Sequence, residues 1–267
     1  MLLPKPADAA LNAALSAAPP AEVAHAEAHA AMVLADLANR STRNKTAMLL
    51  GIPPLVALLS KDMFPMKARA EAAGALRSLA TGQPETQRLV AEAGGIRALV
   101  TLLNEDDGYA CKKAAGAIGA LCSGCVANQD YVNKSNGIVR LIELLGPKLS
   151  GDEVRAEAAG TLAILTRSNK TNQDKMAQEG GIAPLVALLQ EGTAEEVECT
   201  AAALWSLVGG GADYDNHFEN QVAIADAGGI KPLVAVLGLN AQVQEQAGGA
   251  LAALALNNEQ NVASIAK

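Results

Sequence analysis

Residues 172–189 read NQDKMAQEGGIAPLVALL, and the glycine pair in the middle of this stretch decides how the chain folds. Ahead of the pair, NQDKMAQE has the spacing of one short helix, with Asn172 placed to cap its start. Gly180 stands where such a helix turns left-handed to stop, a conformation that costs other residues roughly 1–2 kcal/mol. Behind it, Ile182, Leu185, Val186, Leu188 and Leu189 recur at helical spacing. Pro184 falls in the first turn, where its missing N–H costs little. The stretch therefore predicts two helices meeting at a glycine corner.

The same corner occurs five times: GIPPLVALL from Gly51, GIRALVTLL from Gly95, GIVRLIELL from Gly137, GIAPLVALL from Gly181 and GIKPLVAVL from Gly229. The isoleucines at 52, 96, 138, 182 and 230 are separated by 44, 42, 44 and 48 residues. Gly94 and Gly228 repeat the place of Gly180, and Asn136, the usual substitute in a left-handed position, takes it once. A second signature keeps step: EAAGALRSLA from Glu71, KAAGAIGALC from Lys113, EAAGTLAILT from Glu157, TAAALWSLVG from Thr200 and QAGGALAALA from Gln246. With a polar lead-in such as GDEVRAE, it predicts a third, longer helix whose small residues let neighbouring backbones approach. Strand alternation is absent, so the fold class is all-α. One three-helix unit cannot cover its own apolar faces, and stacking the units buries them.

Composition agrees with a packed core and narrows the function. The 267 residues are 50% hydrophobic, 18% charged and 2% aromatic, with a formal charge of −7. No lysine and arginine run offers phosphate neutralisation, and the six aromatics are too scattered for base stacking, so nucleic acid is not expected as a partner. No apolar run approaches the roughly 18 residues that span a bilayer, and no membrane role is expected. The four cysteines, unevenly spaced behind an amino terminus that does not read as a secretory signal, point to reduced thiols in the cytoplasm or nucleus.

Three helices per roughly 42 residues, with Gly-Gly-Ile between the first two and Ala-Ala-Gly-Ala-Leu in the third, resembles the armadillo repeat. The resemblance covers residues 42–257 as five units starting at Thr42, Glu85, Asn128, Asn172 and Phe218. A helical partial unit precedes them in residues 1–41, and residues 258–267 open a further unit that breaks off before its Gly-Gly-Ile, so a piece of a longer array is expected. What the resemblance implies is a right-handed α-solenoid whose third helices line a concave groove for an extended protein segment. In the importin-alpha branch those helices present tryptophan and asparagine ladders. Here the corresponding positions are Met32, Gly74, Gly116, Gly160, Ala202 and Gly249, then Asp36, Ser78, Ala120, Ile164, Ser206 and Ala253. Import-receptor chemistry is therefore not expected. The glycines imply either a smooth groove open to a bulky partner or close packing between third helices.

One and two turns earlier, the same ridge carries Lys67, Tyr109, Glu153, Glu195 and Gln242, then Glu71, Lys113, Glu157, Cys199 and Gln246. His25 and His29 hold these places in the partial unit. Lys67, Lys112 and Lys113 make one end basic, while Glu153, Glu157, Glu195, Glu196 and Glu198 make the other acidic. Such charges are either a solvated face or a polar-ended groove that orients its partner. Trp205, beside Ser206, is either a binding anchor at the groove rim or a plug between units. The expanded connection GGGADYDNHFENQ adds Tyr214, His217 and Phe218 nearby. The partner-binding candidates are thus Lys67, Glu71, Lys112, Lys113, Glu153, Glu157, Glu195, Glu198, Trp205, Ser206, Tyr214 and Phe218.

Catalytic chemistry finds little footing. Cys122-Ser-Gly-Cys125 lacks a second ligand pair and closes a helix instead of opening one, so neither zinc nor redox work is expected. His25 and His29 have no third ligand, and no Walker lysine follows the glycine pairs. The expected role is a protein-protein interaction scaffold without catalysis, cofactor or metal. A substrate-recognition part of a larger enzyme, such as a U-box ubiquitin ligase, and a transport adaptor are the alternatives. Unfinished stacking at the carboxyl end should leave Leu251, Leu254, Val262 and Ile265 partly exposed and favour weak self-association.

Overall fold

The computed structural model describes residues 51–60, 64–146, 151–209 and 217–266, and every regular element among them is helical. In chain order these are α1 (Ile52–Leu58), α2 (Met66–Ala80), α3 (Pro84–Glu92), α4 (Gly95–Leu102), α5 (Gly108–Cys122), α6 (Val126–Lys134), α7 (Gly137–Glu143) and α8 (Asp152–Thr166). Then follow α9 (Lys170–Gln178), α10 (Ile182–Glu191), α11 (Ala194–Leu207), α12 (Phe218–Asp226), α13 (Ile230–Ala235), a 3-10 turn (Val236–Gly238), α14 (Ala241–Ala255) and α15 (Glu259–Ile265). The partial unit of residues 1–41, with His25, His29, Met32 and Asp36, lies outside the described residues, as does Tyr214.

Each glycine pair divides its work. Gly94, Gly180 and Gly228 have φ of +81°, +77° and +78°, and Asn136 has +62°, the left-handed stop predicted for them. The second glycine is needed for a different reason. A Cβ on Gly181 would stand 3.0 Å from the Met176 carbonyl oxygen, and one on Gly137 would stand 2.5 Å from a methyl of Val132. The corner is that tight because the Gly181 N–H donates back to the same Met176 oxygen at 2.9 Å. Asn172 is not the cap of α9. Asn169 is, its side chain accepting from the Asn172 N–H at 3.1 Å.

Asn172 instead serves the stacking. Its side-chain amide donates to the Leu165 carbonyl at the end of α8, as Asn128 does to Leu121, Asn220 to Leu207 and Asn261 to Leu254. The next residue in three of these units reaches further. Gln173 donates to Thr166 O at 2.9 Å and to Ser206 O at 2.8 Å, tying the carboxyl ends of α8 and α11 together. Gln129 likewise donates to Cys122 O and Ile164 O, while Gln87 and Gln221 each satisfy two carbonyls at the end of their own unit's third helix. Helix ends leave carbonyls without intrahelical partners, and this row of buried amides supplies the donors.

The third helices α2, α5, α8, α11 and α14 pack side by side in sequence and form one continuous ridge. Alanine is what permits it. Ala70, Ala72, Ala73, Ala114, Ala115, Ala158, Ala159 and Ala201 are wholly buried between neighbours. Leucines and isoleucines of the second helices, such as Ile96, Leu99, Ile138, Leu141 and Leu185, fill the space behind them in one uninterrupted core. At the carboxyl end the expected exposure divides. Leu251 and Leu254 are buried because α15 packs against α13 and α14, whereas Val262 is 50% exposed. Among the described residues no single helix is long and apolar enough to cross a membrane.

Candidate functional site

The ridge carries a cleft of about 290 Å³ at the carboxyl ends of α2, α5 and α8. Gly116, Gly119, Gly160, Thr161 and Ile164 form part of its lining, and Arg77 and Glu157 meet within it. Arg77 Nη1 donates to Glu157 Oε2 at 2.9 Å, joining α2 to α8 over the intervening α5. The glycine of α5 makes this possible. A Cβ on Gly116 would sit 2.4 Å from Arg77 Nη1 and 2.9 Å from Glu157 Oε1.

Other ridge glycines are covered in the same way. Lys113 extends over Gly74, the Cys199 thiol lies against the Gly160 position, and the Trp205 ring would be 2.5 Å from a Cβ on Gly249. The glycines are therefore seats for side chains of neighbouring helices, and the smooth open groove is corrected to an occupied one. Trp205 takes the plug position, half-buried between α11 and α14.

The charged candidates are sorted by pairing. Lys112 Nζ contacts Glu153 Oε2 at 2.6 Å, so the basic and acidic ends meet instead of standing apart. Tyr109 donates its hydroxyl to Glu71 at 2.8 Å, and Lys113 Nζ lies 5.1 Å from the Tyr109 ring centroid, within cation-π range. Burial first and the Glu71 carboxylate second push the Tyr109 hydroxyl up to about 12. Glu71 is almost fully covered as a result. Glu196 also leaves the acidic surface. It is wholly buried, completes a capping box with Thr193 at the start of α11 and accepts from Arg155 Nε at 2.6 Å. Lys67, Glu195 and Phe218 are exposed and Glu198 is half-buried.

Ser206 is turned inward and 2% exposed. Its hydroxyl donates to Ala203 O and lies 2.5 Å from Thr166 Oγ1, because its position on α11 faces the seam with α8. It is not open to a partner as expected. Arg77 and Arg155, which organise these carboxylates, escaped the sequence reading. A signal for Arg77 existed: its register on the third helix is otherwise held by Gly119, Ala163, Trp205 and Ala252, so an arginine there stands out.

The cysteines are all free. Cys122 does close α5, but Cys125 stands at the N-cap of α6, so the motif spans a helix end and a helix start. Burial pushes the Cys122 thiol well up, and burial pushes Cys111 up to about 11. Cys199 is likewise pushed up to about 11, by burial first and then by the charges of Glu198, Glu195 and Glu157. An ordinary thiol has a pKa near 8.5, so alkylation of Cys199 at pH 8 is expected to run about two orders of magnitude slower than that of free cysteine. The rate should climb about tenfold per pH unit to pH 10, followed by mass spectrometry of the labelled peptide. A rate equal to that of free cysteine at pH 8 would contradict this environment. Among the described residues no three histidine, cysteine, aspartate or glutamate side chains gather as a metal site.

Three helices per unit, glycine corners and a ridge of stacked third helices define a helical-repeat solenoid. Residues 83–123 match the family model of the armadillo/beta-catenin-like repeat. No curated protein matches the chain. Among solved structures, an engineered protein is 28% identical with a TM-score of 0.79, the alignment covering 88% of this chain and 92% of that one. A designed armadillo repeat protein, YIII(Dq)4CqI, is 24% identical with a TM-score of 0.77 over 90% and 96%. Another designed armadillo repeat protein, in complex with the peptide (KR)4, is 25% identical with a TM-score of 0.73 over 85% and 92%. The chain thus carries an armadillo-like repeat at residues 83–123 and shares the α-solenoid fold of designed armadillo repeat proteins.

Proposed function

We propose that this protein is a non-catalytic scaffold that holds an extended segment of a partner protein along the ridge of third helices. The observation that carries this reading is the cleft between Arg77 and Glu157 on the ridge, where Gly160 is half-exposed and Gly116 lies beneath the Arg77 guanidinium, so that displacing one side chain opens a glycine floor between charged groups. A surface of that kind offers a partner chain both close approach and charge. The similar designed protein solved with (KR)4 supports a peptide as ligand. Its four free thiols fit a reducing compartment, the cytoplasm or nucleus.

The partner segment is cationic. Lys112 neutralises Glu153, Arg77 neutralises Glu157 and Arg155 neutralises Glu196, while Glu195 and Glu198 on α11 add negative charge that no ion pair among the described residues offsets. Replacing Glu195 and Glu198 together by lysine tests the reading, since neither change breaks an ion pair seen among the described residues. Binding of a fluorescent octapeptide of alternating lysine and arginine is expected to weaken about tenfold at low salt. The difference should shrink above roughly 0.15 M, where screening lengths fall to about 8 Å. Equal affinity and equal salt dependence in fluorescence anisotropy would reduce the acidic face to solvated surface.

A further inference from the structure

We propose that Arg77 is a built-in competitor that occupies the cleft in place of a partner's cationic side chain and so sets the affinity and selectivity of the groove. The inference rests on reading the ridge as a binding surface for a cationic segment. Its own basis is the contact between α2 and α8. The guanidinium of Arg77 reaches across a whole unit, lies on the backbone at Gly116 and donates to Glu157 at 2.9 Å. The cleft therefore already accommodates a guanidinium against a carboxylate over a glycine floor, supplied from within the chain. Thr81 and Gly82 of the lining, just beyond the end of α2, and Ser123, just beyond the end of α5, place the pair beside two helix carboxyl ends, whose partial negative charge favours a cation there.

The two members of the pair are not equally fixed. The Arg77 side chain is 44% exposed and Glu157 20% exposed. Arg77 can swing into water and keep its charge hydrated, whereas Glu157 stays in the cleft and needs a cation. An incoming lysine or arginine thus exchanges with Arg77, one cation for another on the same carboxylate. A neutral or acidic segment offers Glu157 nothing in return and leaves the pair closed.

Four variants, measured with the same alternating lysine-arginine octapeptide at low salt, separate the possibilities. Arg77→Gln is expected to bind about 1.5- to fivefold tighter than the unaltered protein, the range that one solvent-accessible ion pair of about 0.2–1 kcal/mol converts to. Glu157→Gln should bind more weakly. Arg77→Gln combined with Glu157→Gln should match Glu157→Gln alone, because without the carboxylate there is nothing to compete for. Arg88→Gln removes the same charge from α3, where Arg88 pairs with Glu85 and Glu92, and should leave affinity unchanged. Circular dichroism confirms folding of each variant. If Arg77→Gln and Arg88→Gln act alike, or if the gain from Arg77→Gln persists beside Glu157→Gln, the competitor role is overturned while the groove reading stands. If neither the unaltered protein nor Arg77→Gln binds saturably, both fall.

Discussion

Replacing Gln173 by leucine is expected to cost about 1–3 kcal/mol of stability, because the buried Ser206 carbonyl loses its donor and is left unsatisfied, while Thr166 O keeps only the Asn169 N–H. Gln173 is almost completely enclosed, and its amide is the donor that ties Thr166 O at the end of α8 to Ser206 O at the end of α11. Leucine has a similar volume, so no large cavity is created. The effect should also appear in cooperativity. In a linear array each unit touches only its neighbours, and weakening one seam lets the two sides unfold separately. Guanidinium unfolding followed by circular dichroism should show a lower midpoint and a shallower or two-step transition. Gln178→Leu, an exposed change on the same helix, is the control. Identical curves for Gln173→Leu and the unaltered protein would mean that water serves the two carbonyls as well as the amide does.

The glutamine row also shows what the sequence concealed. Gln87, Gln129, Gln173 and Gln221 are separated by 42, 44 and 48 residues, the same steps as the corner isoleucines from 96 onward. Their periodicity was therefore visible, but a polar residue at a fixed register reads as solvated helix face until the neighbouring helix ends are in view. The helices and corners were legible because each depends on a few adjacent residues: a left-handed glycine or asparagine, an apolar run, a proline in the first turn. Charge pairing was not. Arg77 meets Glu157 eighty residues away and Lys112 meets Glu153 across a seam. Summing charges along the ridge gave a basic end and an acidic end, whereas stacking brings the two into contact. Ser206 was misread for a related reason. On a helix packed on two sides, a shift of one position from Trp205 turns a side chain from the seam with α14 to the seam with α8.

The corner glycines allow a contrast between adjacent positions that differ in why glycine is used. At Asn136 the backbone is left-handed, with φ of +62°, and the flanking space is not what limits it. Asn136→Gly should be neutral or stabilise by up to about 1 kcal/mol, since glycine adopts that conformation without strain, although it also loosens the unfolded chain. Gly137 is the opposite case. A Cβ there would stand 2.5 Å from Val132 Cγ1 and 3.1 Å from both the Val132 carbonyl oxygen and Val100 Cγ2. Val132 is fully buried on a helix, where a β-branched side chain has essentially one rotamer, so it cannot turn aside. Relief has to come from the backbone, opening the angle between α6 and α7. Gly137→Ala should therefore destabilise by about 1–3 kcal/mol, the usual cost of overfilling a packed core. For an array of this length that corresponds to a fall in Tm of about 2–12 °C. A thermal melt in which Gly137→Ala matched the unaltered protein would show that the corner can open freely. The close return of the second helix onto the first would then not be what fixes the pitch of the stack.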